Sequence, residues 1–120
     1  MTKILIVDDS SFARKRLKII FERAGHEVVG SAEDGEQALS LFDELHPDVV
    51  TLDYLMAGQN GEEILQEMIR HDPDARVVIV SGSGDHTIKD RLLSCGAKLF
   101  VEKLSGHAAF LRAVDQVMKD

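Results

Sequence analysis

The stretch KILIVDDSS, residues 3–11, decides the fold and raises the question of function. Four consecutive aliphatic residues, Ile4 to Val7, lead directly into two aspartates, Asp8 and Asp9. A short unbroken run of aliphatic residues is typical of a strand that is buried on both faces, as in a parallel sheet. Two like charges held together at a strand end repel each other unless a cation lies between them.

Four further runs repeat this pattern along the chain. They are EVVGSA (27–32), DVVTLD (48–53), ARVVIVS (75–81) and AKLFVEK (97–103). Segments with helical periodicity follow each run; the first places Ala13, Leu17 and Ile20 on one face, and the fourth extends from about Asp85 to Cys95. Strand and helix therefore alternate five times. This alternation predicts an α/β fold, a single doubly wound parallel sheet of five strands flanked by five helices.

The ends of the helices carry recognisable capping residues. Ser and Asp side chains accept hydrogen bonds from the free N–H groups of a first turn. The predicted starts are Ser10 or Ser11 for the first helix, Asp34 with Gln37 for the second, and a loop-to-helix turn at Asn60–Gly61 for the third.

Composition limits the classes of protein that the chain can belong to. The 120 residues carry a formal net charge of −7 and are 44% apolar, which fits one globular domain over residues 1–120. An acidic chain is a poor candidate for direct binding of nucleic acid, which needs a basic face. The one cysteine, Cys95, allows no intrachain disulfide and fits a reducing compartment. The first apolar run is too short for a signal peptide or a membrane span. We therefore expect a cytoplasmic domain without membrane insertion.

Polar side chains collect at the carboxyl ends of the predicted strands, where open parallel sheets bind ligands. Asp8 and Asp9 follow the first strand, and Asp53 ends the third. Ser81 ends the fourth strand and Lys103 the fifth. Each residue alone has an ordinary interpretation, as a helix cap, a turn residue or a solvated lysine. Their joint placement at four strand ends instead predicts one site.

The chemistry of these groups indicates phosphoryl transfer. Hard carboxylate oxygens suit Mg²⁺, which keeps several waters and takes one or two carboxylates directly. A carboxylate beside a divalent ion, a lysine and a hydroxyl can act as a nucleophile and form an aspartyl phosphate.

The sequence resembles the response-regulator receiver domains, the two-component signalling family of the chemotaxis protein CheY. The matching motifs occur in order over the whole chain: ILIVDDS, AEDGEQAL, PDVVTLDYLMAGQNG, VVIVSGSG and GAKLFVEK. The resemblance implies a receiver domain over residues 1–120, with strand order 2-1-3-4-5 as in CheY.

The resemblance also implies roles for single residues. Asp53 would accept a phosphoryl group from the phosphohistidine of a sensor histidine kinase. Asp9 would bind Mg²⁺ directly and Asp8 largely through water, with Asp53 and the backbone carbonyl of Leu55 as further ligands.

Three more residues would respond to the phosphoryl group if the resemblance holds. Ser81 and Lys103 would bind its oxygens, and Phe100 would be the aromatic residue that turns inward on activation. The response would appear on the face built by the fourth helix, the fifth strand and the fifth helix. That face would bind a downstream protein, such as a flagellar motor component or a phosphotransfer protein, or a second copy of the chain. Such a phosphoacceptor is not an enzyme beyond its own phosphorylation and dephosphorylation.

Other functions remain open at this point. The chain could be a phosphorelay intermediate or a phosphate sink. A hydrolase with an aspartyl-phosphate intermediate would want a second acid two residues after Asp53, where Leu55 stands. A flavin- or nucleotide-binding module would require a phosphate-binding loop after the first strand, but Asp8 and Asp9 occupy that position.

Three positions depart from the family pattern, and the first is Ala57, where the family usually has proline. The family usually has proline after the conserved lysine, in a cis peptide, but Leu104 follows Lys103 here. A cis bond before a non-proline residue costs roughly 2.5–4 kcal/mol, so we expect a trans bond. Leu55 replaces a residue that is often polar, and we expect it to hinder water that would hydrolyse the phosphoryl group.

The basic run RKRLK (14–18) is predicted to be the solvated side of the first helix or part of a kinase-docking face.

Overall fold

The computed structural model describes residues 2–56, 59–82 and 88–119. Five parallel strands form its central sheet: β1 (Lys3–Val7), β2 (Glu27–Ala32), β3 (Val49–Asp53), β4 (Val77–Ser81) and β5 (Leu99–Glu102). The helices are α1 (Ser11–Arg23), α2 (Gly35–Leu45), α3 (Gly61–His71), α4 (Lys89–Ser94) and α5 (His107–Lys119). The strand order is β2-β1-β3-β4-β5, which confirms the predicted fold class and topology.

The helices begin at the residues that the capping patterns predict. Ser10 caps α1, and its Oγ accepts a hydrogen bond from the Ala13 N–H at 3.2 Å. Asp34 caps α2 by accepting from the Gln37 N–H at 2.8 Å. The Gln37 side chain in turn accepts from the N–H of Glu33 at 2.9 Å. In a standard capping box the Gln37 side chain would accept from the N–H of the cap residue, Asp34. Here it accepts from Glu33 instead, one residue before the cap.

Two local features bear on the sequence-based expectation. Helix α3 begins at Gly61, in agreement with the predicted loop-to-helix turn, and the Asn60 side chain caps it. The backbone of Asn60 also pairs with Leu55 in an antiparallel ladder of two residues per strand, which that interpretation does not include. Helix α4 is described from Lys89 to Ser94 and has Cys95 as its cap, in agreement with the predicted end at Cys95. The predicted start near residue 85 lies outside the described residues.

The sheet is covered by helices on both faces, as the continuous apolar strands require. One core cluster joins alternate strand residues such as Leu52 and Ile79 to α2, α3 and α4. The other joins Ile6 and Val78 to α1 and α5. None of the helices in the described ranges has the length and apolar character that crossing a membrane requires.

The strand order brings the predicted site residues to one edge of the sheet. Strands β1 and β3 are adjacent, with Val7 paired to Leu52 in the last register position. Asp53 is paired to Val80, one residue before Ser81, and Ser81 is paired to Glu102, one residue before Lys103. The carboxyl ends of these four strands, β1, β3, β4 and β5, therefore lie side by side at one edge of the sheet.

Candidate functional site

Three carboxylates converge at the carboxyl edge of the sheet. Asp8, Asp9 and Asp53 each offer one oxygen, and these oxygens lie within 4.8 Å of one another. Asp8 is 1% exposed and Asp53 is 4% exposed, whereas Asp9 is open to solvent. Within the described ranges this is the one group of three or more acidic, histidine or cysteine side chains that close together.

Lys103 places a cation between two of these carboxylates. Its Nζ lies 2.8 Å from Asp8 Oδ2 and 3.1 Å from Asp53 Oδ2. Its backbone N–H donates to the Ser81 carbonyl at 2.7 Å, which fixes the chain just after β5. The Lys103–Leu104 peptide bond is trans, as expected for a non-proline residue. The lysine therefore reaches the acidic cluster without the cis proline that usually follows it in the family that the sequence resembles.

The environment of Asp53 raises its pKa to about 6 from an ordinary value of 3.8. Burial is the largest cause, because it disfavours the charged carboxylate, and the negative charge of Asp8 adds to it. The hydrogen bond and charge of Lys103, and a hydrogen bond from the Leu55 backbone, act in the opposite direction. Asp53 is therefore mostly ionised near neutral pH but is easily protonated below it.

The pKa of Lys103 is raised as well. Partial burial acts to lower this pKa, but hydrogen bonds to Asp8 and Asp53 and the charges of both carboxylates outweigh the burial. The lysine therefore stays a full cation beside the two buried acids.

Asp8 is held by groups from the start of α1. The Ser10 N–H donates to Asp8 Oδ1 at 2.9 Å, and the Arg14 guanidinium donates to the Asp8 carbonyl oxygen at 2.7 Å. The sequence does not predict this contact of Arg14, since the run from 14 to 18 favours a solvated helix face or a docking surface. Arg14 is the first residue of that run and is only partly exposed.

The backbone after Asp53 is pressed against the start of α3. The Gly61 N–H donates to the Tyr54 carbonyl at 2.8 Å. A Cβ at Gly61 would lie 2.8 Å from Tyr54 Cα and 2.9 Å from the Asp53 carbonyl oxygen. Only glycine fits this approach, because those neighbours are backbone atoms that cannot turn aside.

A contact network that the sequence does not reveal joins Tyr54 to α3 and α4. Arg91 on α4 donates from its Nε to Glu62 Oε1 at 2.5 Å. The Nη2 of the same guanidinium donates to the Tyr54 hydroxyl at 3.4 Å. The residue that follows Asp53 is thus linked to both helices on this side of the sheet.

The other predicted site residues, Ser81, Leu55 and Phe100, differ in their burial and in their neighbours. Ser81 is buried at the end of β4, beside the strand end that carries Asp53. Leu55 is 67% exposed, two residues after Asp53. Phe100 is half-buried and packs against the core cluster that includes Leu92 of α4.

The donor set fits a hard divalent cation. Three carboxylates within 4.8 Å, one of them exposed, supply only oxygen ligands, as Mg²⁺ prefers. The nearby cation Lys103 balances part of this negative charge through its ion pairs with Asp8 and Asp53.

Comparison with known proteins identifies the class. A family model described as the response regulator receiver domain matches residues 4–115. The chain belongs to this family, the receiver domains of two-component signalling.

Individual relatives match over nearly the full chain. Protein CcdB of Bacillus subtilis (strain 168) is 37% identical over 118 residues, covering 98% of each chain. Chemotaxis protein CheY of Thermotoga maritima is 36% identical over 117 residues, also covering 98% of each. A chain of the solved CheX-CheY-BeF3-Mg+2 complex from Borrelia burgdorferi has a similar fold, with a TM-score of 0.93 and a sequence identity of 34%. The match covers 98% of this chain and 89% of that chain.

Proposed function

We propose that the chain is a response-regulator receiver, residues 1–120, that accepts a phosphoryl group on Asp53 with the aid of Mg²⁺. The observation that carries the proposal is the convergence of Asp8, Asp9 and Asp53 with Lys103 at one sheet edge. The membership of the receiver family supports it. The similar chain from Borrelia burgdorferi was solved in a complex that contains BeF3 and Mg²⁺, which supports the choice of ion.

The proposed reaction is a displacement at phosphorus. A carboxylate oxygen of Asp53 attacks the phosphoryl group of a phosphohistidine on a sensor kinase. The new O–P bond forms as the P–N bond breaks, and the imidazole leaves and takes a proton. A pKa of about 6 keeps Asp53 mostly ionised near pH 7, so the nucleophile is available without a separate base.

Asp8, Asp9, Asp53 and the Leu55 carbonyl would hold Mg²⁺, which supplies positive charge against the phosphoryl oxygens. Lys103 is already within 3.1 Å of an Asp53 oxygen and would move its ammonium to a phosphoryl oxygen after transfer. The role of Asp8 is then to orient Lys103 and complete the acidic cluster.

The proposed output is a change of the α4–β5–α5 face. Phe100 and Ser81 would respond to the phosphoryl group, and Phe100 lines a cavity of about 340 Å³ between β5 and α5. The partners would be a sensor histidine kinase and a downstream protein or second copy, in the cytoplasm, without direct contact to nucleic acid or insertion into membrane. The protein would catalyse no turnover beyond its own phosphorylation and dephosphorylation.

Incubation of the full chain with Mg²⁺ and acetyl phosphate tests this function. We expect a mass gain of one phosphoryl group, which a chelator or the substitution Asp53→Asn abolishes. Asp48→Asn, at a carboxylate outside the cluster, is the matched control and should label normally. Equal labelling of the Asp53→Asn variant would contradict the proposal.

A further inference from the structure

The side chain of Tyr54, which has no role in the function proposed above, is held by helix α4. Tyr54 follows Asp53 directly and is 9% exposed, within the core cluster that includes Leu92 of α4. Its hydroxyl accepts a hydrogen bond from Arg91 Nη2 at 3.4 Å. A tyrosine whose ring is buried usually finds such a partner for its hydroxyl. The residue next to Asp53 is therefore anchored on a helix that carries none of the three clustered acids.

The guanidinium of Arg91 is in turn held by helix α3. Its Nε donates to Glu62 Oε1 at 2.5 Å. Glu62 is the second residue of α3, and its own N–H donates to the side chain of Asn60, the helix cap, at 2.7 Å. A guanidinium is planar and carries several N–H donors in fixed directions, so one group can serve two acceptors at once. Arg91 therefore connects the Tyr54 hydroxyl to the start of α3.

The backbone of Tyr54 is fixed at both of its polar groups. Its N–H donates to the Val80 carbonyl at 2.9 Å, and its carbonyl accepts from the Gly61 N–H at 2.8 Å. The next residue, Leu55, is 67% exposed, so its side chain adds little packing to this segment. Its backbone pairs with Asn60 in the short antiparallel ladder. The position of the Leu55 carbonyl therefore depends on how firmly Tyr54 and the ladder are held.

Stability gives little reason for the contacts of Arg91. The Arg91 side chain is 56% exposed and that of Glu62 is 21% exposed. Ion pairs that are open to solvent contribute little to the stability of a fold. The contacts do fix a direction, because they tie the residue after Asp53 to two helices at once.

We propose that Arg91 is a positioning residue for the metal site, which acts through the Tyr54 hydroxyl on the backbone carbonyl of Leu55. The inference rests on the function proposed above, in which that carbonyl is a ligand of Mg²⁺. A ligand that is already held in the geometry it needs loses less freedom when the ion binds, and the ion binds more tightly. In this arrangement Glu62 orients the guanidinium, and Tyr54 transmits its hold to the ligand.

Tyr54→Phe and Arg91→Met test this role, because each removes the link and keeps the apolar part of its side chain. Mg²⁺ is titrated into the isotope-labelled full chain, and the amide shifts of Asp8, Asp9 and Asp53 give the dissociation constant. Groups that orient metal ligands generally change metal affinity about ten- to a hundredfold. We expect each variant to bind Mg²⁺ about three- to tenfold more weakly, because the link acts on one ligand. The double variant should bind no more weakly than either single variant, because both substitutions remove the same link.

Arg70→Met is the matched control. It makes the same substitution at an exposed arginine whose ion pair, with Glu67, lies within α3. This variant should bind Mg²⁺ as the wild type does.

Hydrogen exchange in chelator separates positioning from overall stability. The N–H groups of Tyr54 and Gly61 report on the backbone that the link holds. We expect both to exchange several-fold faster in Tyr54→Phe and in Arg91→Met, while the amides of α1 and α5 exchange as in the wild type.

The outcomes distinguish this inference from the function on which it rests. Equal Mg²⁺ affinity in the wild type and the two single variants would overturn the inference and leave the proposed function standing. Additive losses in the double variant, or faster exchange spread over the whole chain, would also overturn it, because either result would show a general loss of stability. A wild-type chain that binds no Mg²⁺ would contradict the proposed function, and the inference with it.

Discussion

The ammonium of Lys103 lies 3.1 Å from Asp53 Oδ2, across a sequence separation of 50 residues. Strand β4 stands between the two strands that carry these residues, so the lysine side chain must cross its end to reach the acid. The same ammonium contacts Asp8 Oδ2 at 2.8 Å. One cation thus joins the ends of β1, β3 and β5 and stabilises two buried carboxylates whose charges would otherwise repel.

Replacement of this cation should destabilise the metal-free protein. Lys103→Met leaves Asp8 and Asp53 buried together without their counter-ion. We expect the free energy of unfolding at pH 7.5 to fall by about 1–3 kcal/mol, somewhat less than for a fully buried pair because the lysine is partly exposed. Urea denaturation in chelator measures it. Lys98→Met, at an exposed position near the start of β5, is the control and should change the stability little. Equal stabilities of the two variants would show that the ion pairs do not stabilise the fold.

The raised pKa of Asp53 predicts how the stability of the metal-free protein depends on pH. Since this pKa is about 6 when folded and 3.8 ordinarily, the folded state binds a proton more tightly than the unfolded chain does. The contribution of Asp53 to stability is therefore greatest below about pH 4, declines as pH rises through 6, and is constant above. Asp53→Asn should be more stable than the wild type at pH 7.5, and the difference should shrink as the pH falls to 4.

Urea midpoints of both proteins in chelator, taken from pH 4 to 8, measure this difference. Asp90→Asn, at an exposed site on α4, provides the control for a lost charge elsewhere. A stability difference that stays constant over this pH range would refute the assignment of the raised pKa to Asp53.

Gly61 should not tolerate even one methyl group. Alanine generally favours a helix over glycine by about 1 kcal/mol, so helix propensity alone predicts that Gly61→Ala stabilises α3. The Cβ would instead press on the backbone of Asp53 and Tyr54, and we expect a net loss of about 1–3 kcal/mol. Gly82→Ala is the matched control, because a Cβ at Gly82 has no neighbour within 4 Å. Thermal unfolding of the two variants distinguishes the effects; a stabilised Gly61→Ala protein would contradict the close approach.

Leu55 should control how long the phosphoryl group persists. Its side chain stands two residues after Asp53, where an aliphatic group offers water no hydrogen bond. We expect Leu55→Asn to lose the phosphoryl group several-fold faster than the wild type after the phosphodonor is removed. Leu104→Asn makes the same change at an 87% exposed position beside Lys103 and is the control. The decay of the phosphorylated mass gives both rates; equal or slower loss in Leu55→Asn would count against this role.

The sequence predicted the parts of the molecule that depend on backbone pattern. Alternating apolar runs indicated the sheet, and the ends of those runs placed Asp8, Asp53, Ser81 and Lys103 at one edge. The structure confirms the fold and brings three of these residues, with Asp9, into one cluster. These features follow from the geometry of parallel strands, which a sequence pattern reports directly.

The contacts that the sequence did not predict depend on the direction of single side chains. Arg14 belongs to a charged run that resembles any solvated helix face, yet its guanidinium turns to the Asp8 carbonyl. Arg91 reaches Glu62 and Tyr54 across separations of 29 and 37 residues, which no local pattern reports. The antiparallel ladder at Leu55 is too short to leave an alternating signal.

The most direct test of the central claim is to identify the phosphorylated residue. Borohydride reduces an aspartyl phosphate to homoserine and leaves a free aspartate unchanged. After incubation with Mg²⁺ and acetyl phosphate, reduction and peptide sequencing by mass spectrometry should find homoserine at position 53 and nowhere else, and none when a chelator is present. Homoserine at position 8 or 9, or a phosphoryl group on another side chain with Asp53 unreduced, would contradict the account.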